Sequence, residues 1–422
     1  MLEYINKKYK PSSTDVVVEY YVEPNGISLE EAAENLAAES SIGTWTDIST
    51  MNQRVSTKLR PWVFDIDKEA KEIRIAYHGD LFEEGNMPGI LSGIAGNIYG
   101  MKCVRRLRLQ DIEFPKFLIK SFKGPAFGID GVRKLLKIRD RPLTGTIIKP
   151  KMGLNYFEHA NVAYDAWTGG LDVVKDDENL TSQKFNPFKE RVEITLQKLD
   201  KAEQRTGEKK AYMPNITAET NEMLRRADFI KQCGGTYMMI DVLTAGFAGV
   251  QTLREANKGL VIHAHRAGHA AVTRNTKHGI TMLALAKMFR MIGVDQLHIG
   301  AAFGKMEGAP SEVRDICDEI EMNMIHPKKP RHILEQKWYD VKPVFAVCSG
   351  GLHPGKIGEL VNYMGKNIVI QAGGGVHGHP GGTRKGAMAM RQAVDAAMKG
   401  IHQGVYARSH DELRKAIGLW GV

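Results

Sequence analysis

The stretch GTIIKPKMGLNYFEHANVAYDAWTGGLDVVKDDE, residues 145–178, contains one complete strand–helix–strand unit. It begins with the apolar run GTIIK and contains a second run, LDVVK, and each run has the length of a buried strand. Between them, apolar side chains recur at helical spacing from Phe157 to Trp167, and two glycines then end the predicted helix. Two strands joined through a helix lie parallel, so this stretch predicts a parallel sheet covered by helices.

Eight such apolar runs occur between about Arg141 and Gly400, separated by stretches that can each hold a helix. The runs are GTIIK at 145–149, LDVVK at 171–175, AYMPNI at 211–216, MMIDV at 238–242, LVIHAH at 260–265, QLHIG at 296–300, PVFAVCS at 343–349 and NIVIQAGGG at 367–375. Eight is the number that a closed (βα)8 barrel requires, and nearly every run ends in a polar residue or glycine. An open doubly wound sheet gathers its ligand groups at one switch point, so we predict a TIM-type barrel.

The N-terminal part of the chain has a different pattern, which mixes strand and helix periods. The alternating run DVVVEYYVEP at 15–24 predicts a strand, and Ser28 with Glu31 forms a capping-box pattern that begins a helix. The strand-like runs VFDID and EIRIAY follow. We therefore predict a smaller α+β domain at residues 1–125 and the catalytic barrel domain at residues 126–422.

The composition is that of a folded protein without a membrane-spanning segment. The chain has 422 residues, 43% of them hydrophobic and 25% charged, and a formal net charge of +9. No run approaches the ~18 uncharged apolar residues of a membrane helix, and the N-terminus lacks the apolar core of a signal peptide. The four cysteines are scattered, and the basic residues form no strip interleaved with aromatic residues. We expect a cytoplasmic protein that binds neither membranes nor nucleic acid.

The second run leads directly into Lys175-Asp176-Asp177-Glu178, at the strand end where a barrel carries its active site. Such a run is as often a solvated turn, because charged side chains are mostly exposed. In an extended chain, however, Lys175 and Asp177 point to one side, and Glu178 follows at the turn. Carboxylates without a neighbouring cysteine favour Mg²⁺ over Zn²⁺, so the run is a candidate magnesium site.

Two lysines, Lys149 and Lys151, end the first run. They have the composition of a basic surface turn, but Lys149 directly follows apolar residues. Partial burial among other cations would lower the pKa of Lys149, as a lysine that transfers protons requires.

Histidines and an arginine end the fifth and sixth runs: His263, His265, Arg266, His269 and His298. One buried histidine is more often an ordinary core residue than a catalyst. Several buried cationic groups at adjacent strand ends need an anionic partner, so we expect a phosphorylated ligand.

Glycine-rich stretches follow the last two runs, at Ser349–Gly351 and Gly373–Gly375. Barrels commonly bind phosphate there through backbone amides, although glycine runs also occur in plain turns. Between the sixth and seventh runs, Lys305 lies between Gly304 and Gly308. This composition suits a lid that brings a charge over substrate, and it also occurs in ordinary turns.

Seven motifs are distributed in order along nearly the whole chain: AAESSIGTWT at 37–46, GTIIKPKMGL at 145–154, GGLDVVKDDENLTSQ at 169–183, IHAHRAGHA at 262–270, GKMEG at 304–308, SGGLHPG at 349–355 and QAGGGVHGHPGG at 371–382. Together they resemble the large chain of ribulose-1,5-bisphosphate carboxylase/oxygenase (RuBisCO). The short C-terminus, with ESSIGTWT and QAGGGVHGHP, is most similar to the archaeal-type form III enzymes.

The resemblance implies a Mg²⁺-dependent carboxy-lyase that adds CO2 or O2 to the enediolate of ribulose 1,5-bisphosphate. The products would be two 3-phosphoglycerates, or 3-phosphoglycerate and 2-phosphoglycolate. Lys175 would react with an activating CO2, and the resulting carbamate would hold Mg²⁺ together with Asp177 and Glu178. The reaction would serve nucleotide salvage from AMP or an archaeal carbon-fixation cycle.

The resemblance also implies roles for the other matching positions. The residues expected to act on protons or on developing charge are Lys149, supported by Lys151 and Asn215, together with His265 and the lid residue Lys305. The residues expected to bind the two phosphates are Arg266, His298 and Ser349 for one, and Gly351, Gly373 and Gly374 for the other, with Gly350 and Gln371 completing the substrate-binding set.

In the family, a second subunit contributes to each active site, here through Glu39, Thr44, Trp45 and Asn97. The resemblance therefore implies a homodimer with shared active sites, able to form a ring of dimers without a small subunit. The chain departs from the family at Ile147, where threonine is frequent, and in the lid approach at 300–304. Neither departure removes a catalytic group.

Two other readings compete with a carboxylase. A RuBisCO-like enolase or isomerase of sulfur salvage would keep the barrel, but such relatives typically lack some of the groups at Lys149, Lys305, Glu39 and His298, all present here. A basic, non-enzymatic binding protein would leave the lysines and histidines at the strand ends without a function.

Overall fold

The computed structural model describes residues 3–304 and 309–422, and it contains two compact units. The first comprises Met1–Gly124, Gly268–Ile292 and Met322–Val341, and the second comprises Pro125–Ala267, Gly293–Glu321 and Lys342–Val422. Two segments from the second half of the chain thus belong to the first unit. The predicted limits of the N-terminal domain at residue 125 and of the barrel domain at residue 126 stay a prediction. Within the described ranges, no helix combines the length and apolar composition needed to cross a membrane.

The strands are β1 (Val16–Pro24), β2 (Trp62–Asp67), β3 (Glu72–Tyr77), β4 (Val104–Glu113), β5 (Leu143–Ile147), β6 (Val173–Lys175), β7 (Ala211–Met213), β8 (Tyr237–Asp241), β9 (Val261–His265), β10 (Gly279–Ile280), β11 (Gln296–Gly300), β12 (Met324–Ile325), β13 (Gln336–Lys337), β14 (Phe345–Ser349) and β15 (Ile368–Gln371).

The helices are α1 (Leu29–Glu39), α2 (Gln53–Lys58), α3 (Met87–Ala95), α4 (Lys116–Ser121), α5 (Gly128–Leu136), α6 (Tyr156–Thr168), α7 (Phe188–Thr206), α8 (Thr220–Gln232), α9 (Val242–Glu255), α10 (Ala270–Thr273), α11 (Met282–Ile292), α12 (Pro310–Glu321), α13 (Ile357–Met364), α14 (Gly374–His377), α15 (Gly382–Met398), α16 (Gln403–Tyr406) and α17 (Asp411–Trp420).

The first unit is built on a five-stranded sheet with the order β10-β4-β1-β3-β2. Its central strand β1 pairs antiparallel with β3 and β4, while β10 adds a parallel edge to β4. Strand β1 is buried on both faces, and on one of them Val17 packs with Ala76 and Leu334. The predicted capping box of Ser28 and Glu31 begins helix α1. The segments from the second half of the chain therefore complete both the edge and the cover of this sheet.

The second unit is a barrel of eight parallel strands in the order β7-β6-β5-β15-β14-β11-β9-β8. The seam between β7 and β8 is closed by a parallel bridge between Asn215 and Met239. Two backbone hydrogen bonds support it, from Ile216 N to Met239 O at 3.0 Å and from Met239 N to Pro214 O at 2.9 Å. Each of the eight apolar runs overlaps one barrel strand, which confirms the predicted TIM-type fold.

Apolar side chains fill the barrel and helix α5 covers its N-terminal end. Val132 and Leu136 of α5 form one buried cluster with strand residues that include Leu143, Val261 and Phe345. The C-terminal strand ends are left to carry polar groups, as expected for this fold.

Buried ion pairs stabilise the opposite, N-terminal end of the strands. Arg141 donates two hydrogen bonds to the Asp172 carboxylate, at 2.6 and 2.7 Å. Arg254 donates another to Asp295 at 2.5 Å. The two carboxylates are completely buried, so both ion pairs are structural.

A partly buried histidine connects the last segment of the first unit to its sheet. His332 Nδ1 lies 3.1 Å from Oε1 of Glu19 on β1 and 3.0 Å from Oε1 of Glu72 on β3. The hydrogen bond to Glu19 raises the pKa of His332, although partial burial opposes protonation. The other oxygen of Glu19 accepts a hydrogen bond from Arg74 at 2.7 Å. A protonated imidazole therefore binds two strands at once.

The variant His332→Gln is expected to lower the melting temperature more at about pH 6 than at about pH 8.5. A histidine with a raised pKa stabilises the folded chain fully below its unfolded pKa of about 6.5, and this stabilisation disappears as the pH rises through the folded value. The loss should be at most about 1 kcal/mol, because solvent screens a partly exposed pair. His326→Gln, which changes an exposed histidine of the same segment, is the control. Equal losses at both pH values would contradict the assignment.

Candidate active site

Barrel strand β6 ends in Lys175, whose side chain is completely buried. Its amine donates a hydrogen bond to the carbonyl oxygen of Asp176 at 2.6 Å and lies 3.2 Å from the sulfur of Met239. Burial lowers the pKa of this amine because water cannot solvate its charge, although neighbouring carboxylates, Glu178 foremost, oppose the shift. The neutral amine is a nucleophile, so Lys175 is suited to attack a small electrophile.

Two of the three carboxylates that follow Lys175 are paired with lysines from the loop after β5. Lys149 Nζ is 2.6 Å from Asp177 Oδ2, and Lys151 Nζ is 3.2 Å from Glu178 Oε1. Asp177 is only 1% exposed, so the interpretation as a solvated turn is wrong. Burial opposes ionisation of Glu178, but the charge of Lys175 and other neighbours lowers its pKa to about 2. Glu178 is therefore ionised.

These residues fit a divalent cation. The Asp177 and Glu178 carboxylates are neutralised by flexible lysine side chains, and a metal ion can take over that role. A carboxylated Lys175 would add a further anionic oxygen. Such an all-oxygen donor set matches Mg²⁺ and not Zn²⁺.

His263, His298 and Ser349 form a hydrogen-bonded row across three neighbouring strands, with a distance of 2.9 Å between the histidine Nε2 atoms and 2.7 Å from His298 Nδ1 to Ser349 Oγ. Burial lowers the pKa of His263 to about 3 and that of His298 well below its usual value, so both rings are neutral at physiological pH. Burial therefore opposes the positive charge expected on these two histidines. Arg266 remains a cation, because burial lowers its pKa only to about 10.

His265, the last residue of β9, is oriented by Asp241 at the end of β8. Its Nδ1 lies 2.8 Å from Asp241 Oδ1, and its Nε2 lies 4.0 Å from Glu178 Oε2. Burial lowers the pKa of His265, while the hydrogen bond to Asp241 acts in the opposite direction. Asp241 was not among the predicted site residues. Its position at the end of the apolar run MMIDV is the signal that could have identified it.

The loops after β14 and β15 carry the predicted phosphate ligands. Gly350 and Gly351 have φ angles of 115° and 79°, which side chains rarely tolerate. A Cβ on Gly373 would lie 3.1 Å from Cε of Lys149, so this glycine leaves room for the lysine. Gln371 is completely buried, and its Oε1 has no hydrogen-bond partner within the described residues. The end of β15 therefore converges with that of β5, and Gly374 begins the short helix after it.

The four residues expected to act on a partner's site lie in the first unit. Asn97 Nδ2 donates a hydrogen bond to Glu39 Oε1 at 3.3 Å, and Trp45 is 85% exposed. Thr44 precedes Trp45 in the same loop. The predicted lid residue Lys305 lies outside the described residues.

Comparison with known proteins identifies close relatives over the whole chain. The family model for the catalytic domain of the ribulose bisphosphate carboxylase large chain matches residues 128–420, and the model for its N-terminal domain matches residues 3–118. The ribulose bisphosphate carboxylase of Methanosarcina mazei is 50% identical, covering 99% of both proteins. That of Methanocaldococcus jannaschii is 51% identical, covering 99% of this chain and 100% of the relative.

Solved structures of archaeal Rubisco are also similar to this chain in fold and sequence. The dimeric archaeal Rubisco from Hyperthermus butylicus has a TM-score of 0.94 and 44% identity, covering 99% of both chains. The octameric Rubisco from Pyrococcus horikoshii has a TM-score of 0.92 and 47% identity, covering 99% of this chain and 97% of that one.

Two buried lysines are expected to respond oppositely to replacement by methionine. Lys287 Nζ is 2.8 Å from the buried carboxylate of Asp111. Lys287→Met removes the charge partner of this carboxylate and should lower the free energy of unfolding by about 3–5 kcal/mol. Within residues 3–304 and 309–422, the amine of Lys175 bonds only to uncharged atoms, so Lys175→Met should leave the melting temperature unchanged or raise it. Because its folded pKa is lowered, the gain should be largest at low pH and vanish towards about pH 10.4.

Thermal unfolding of the two variants and the parent protein over this pH range measures the difference. A Lys175→Met protein as unstable as Lys287→Met would show that the Lys175 charge is compensated in the folded state.

Proposed function

The chain belongs to the ribulose bisphosphate carboxylase large-chain family, and from this premise we propose how its own residues carry out the reaction. The protein is a ribulose-bisphosphate carboxylase, a lyase, and the relatives named above are archaeal, as the sequence motifs indicated. The carboxylase names of these relatives support this activity and not the enolase or isomerase of sulfur salvage. The assignment of residues to steps is our proposal.

The buried amine of Lys175 beside two carboxylates is the observation that carries this proposal. The nitrogen lone pair of neutral Lys175 forms a bond to the carbon of CO2, and one amine proton leaves to solvent. The product is a carbamate anion, which with Asp177 and Glu178 would hold Mg²⁺. When bound, Mg²⁺ polarises the C2 carbonyl of ribulose bisphosphate and makes the adjacent C3 proton more acidic.

Lys149 and His265 are the proposed proton-transfer residues. Lys149 is 28% exposed, and with Asp177 holding Mg²⁺ its ammonium group would be free to donate a proton to C2 after carbon–carbon cleavage. Asp241 accepts from Nδ1 of His265, which leaves Nε2 to exchange a proton during hydration of the carboxylated intermediate. Lys151 lies beside Glu178 and supports the same site.

The phosphate groups of the substrate are proposed to bind at two sets of strand ends. Arg266 supplies the positive charge for one phosphate, and neutral His298 with Ser349 supplies hydrogen bonds. The other phosphate would bind to backbone amides and side chains at the remaining positions: Gly350, Gly351, Gln371, Gly373 and Gly374. We propose that Lys305 stabilises the carboxylate charge that appears when CO2 adds.

We further propose a cytoplasmic homodimer without a small subunit, which can assemble into larger rings. Solved relatives are dimeric in one case and octameric in another. The first-unit residues Glu39, Thr44, Trp45 and Asn97 would then complete the barrel site of the partner subunit. Exposure of the Trp45 ring is compatible with such a contact.

The activity is tested by incorporation of labelled CO2 into 3-phosphoglycerate from ribulose 1,5-bisphosphate. Incorporation should require Mg²⁺, and preincubation with bicarbonate and Mg²⁺ should abolish an initial lag, because the carbamate and the metal stabilise each other. Lys175→Ala is expected to lower kcat by about 10³-fold or more, while Lys184→Ala, at an exposed lysine in the following loop, should not. Full activity of Lys175→Ala would refute the proposed metal site.

Sharing of the active site between subunits is tested by complementation. Lys175→Ala and Glu39→Ala homodimers should both be nearly inactive, but a mixed dimer contains one site with neither substitution. Random equal mixing makes about half of the dimers mixed, so about a quarter of all sites should recover activity. Absence of recovery, after mass spectrometry has shown subunit exchange, would mean that each site is built within one chain.

A further inference from the structure

Asp176 lies between Lys175 and Asp177 but has no part in the roles described above. Because side chains alternate along a strand, the Asp176 carboxylate points away from these two neighbours, and it is completely buried. A buried carboxylate is costly unless its lone pairs are all used in hydrogen bonds. The hydrogen-bond donors around the Asp176 carboxylate therefore indicate what this residue does.

Four donors surround the Asp176 carboxylate, and each of its oxygens has two of them. The four are the Tyr212 hydroxyl at 2.6 Å and His159 Nε2 at 3.0 Å on Oδ1, and Arg191 Nε at 3.0 Å and Asn215 N at 2.9 Å on Oδ2. They come from helix α6, helix α7, strand β7 and the residue at the closing bridge. The carboxylate thereby joins four separate elements to the end of β6.

Two of these residues, Arg191 and Asn215, also hold the backbone at the end of the catalytic run and after it. Arg191 is completely buried, and its two terminal nitrogens donate to the carbonyl oxygens of Asn186 at 2.9 Å and Thr181 at 2.6 Å. These carbonyls belong to the loop that follows Glu178. Nδ2 of Asn215 donates to the Glu178 carbonyl oxygen at 3.1 Å. The backbone at Glu178 and in the loop beyond it is therefore fixed by the residues that surround Asp176.

The carbonyl oxygen of Asp176 accepts the hydrogen bond from the Lys175 amine. The side chain of Asp176 immobilises the peptide unit, and this peptide unit orients the amine. We propose that Asp176, held by Tyr212, His159 and Arg191, is a positioning residue that determines how readily Lys175 takes up the activating CO2. This inference rests on the proposed carbamate at Lys175 and extends it to residues that do not touch substrate.

The alternative explanation is that Asp176 and Arg191 form a buried ion pair that only stabilises the barrel. The fraction of Lys175 present as carbamate distinguishes this explanation from a positioning role. Tyr212→Phe removes one donor to Asp176 and leaves both charges in place. Tyr237→Phe is the matched control, because Tyr237 is an equally buried tyrosine of a barrel strand whose hydroxyl has no hydrogen-bond partner in the described chain. The signal of the ¹³C carbamate, recorded by NMR in full-length protein with ¹³CO2 at fixed Mg²⁺, reports occupancy directly.

For Tyr212→Phe, the CO2 concentration that gives half occupancy should rise about 3- to 10-fold, as expected for loss of one hydrogen bond to a charged group. At saturating CO2, kcat and the KM for ribulose bisphosphate should return to near the parental values. Tyr237→Phe should leave the half-occupancy concentration unchanged. Arg191→Lys, which keeps the charge but cannot bond all three acceptors, should shift it at least as far as Tyr212→Phe.

Two results would overturn the inference. One is parental half-occupancy concentrations in both Tyr212→Phe and Arg191→Lys, and the other is a shift in Tyr212→Phe no larger than that in Tyr237→Phe. The absence of any carbamate signal in the parent protein is a separate outcome, which would refute the assignment of Lys175 itself.

Discussion

An amine that is buried without a hydrogen bond to a carboxylate loses the water that solvates its charge. This loss lowers the pKa of the amine and reduces the stability of the folded protein. Lys175 imposes this constraint on the barrel. The opposite end of the strands supplies compensation, since α5 covers the apolar interior and the ion pairs of Asp172 and Asp295 are buried there. Stability and chemistry are thus located at opposite ends of the same eight strands.

The constraint also accounts for the arrangement of charge around Lys175. Lys149 and Lys151, in the loop after β5, form ion pairs with Asp177 and Glu178. His263 and His298 contribute no positive charge, because burial keeps them neutral. Neutral rings add no further positive charge to a site whose carboxylates already pair with Lys149 and Lys151.

The barrel could be predicted from the sequence because each strand is a short apolar run that ends in a polar residue or glycine, and this pattern is local. The same holds for Lys175 and Asp177, whose common orientation follows from strand alternation. The protonation states of His263 and His298 could not be predicted, since they depend on burial among residues distant in sequence. The packing of residues 268–292 and 322–341 with the first unit likewise depends on contacts such as Leu334 with Val17. Asp176 could be placed opposite Lys175, but its four donors come from elements that only the folded chain brings together.

The assembly of the first unit from three separate segments affects how the protein folds during synthesis. The ribosome releases the N-terminal segment first, when strand β4 has no β10 beside it and the Val17 face has no Leu334 above it. An unpaired strand edge and an uncovered apolar face are the features that promote aggregation of nascent chains. The first unit can acquire its last segment only after 341 of the 422 residues have been made. Until that point, the growing chain exposes the free edge of β4 and the uncovered Val17 face, and both could pair with the same surfaces of another nascent chain.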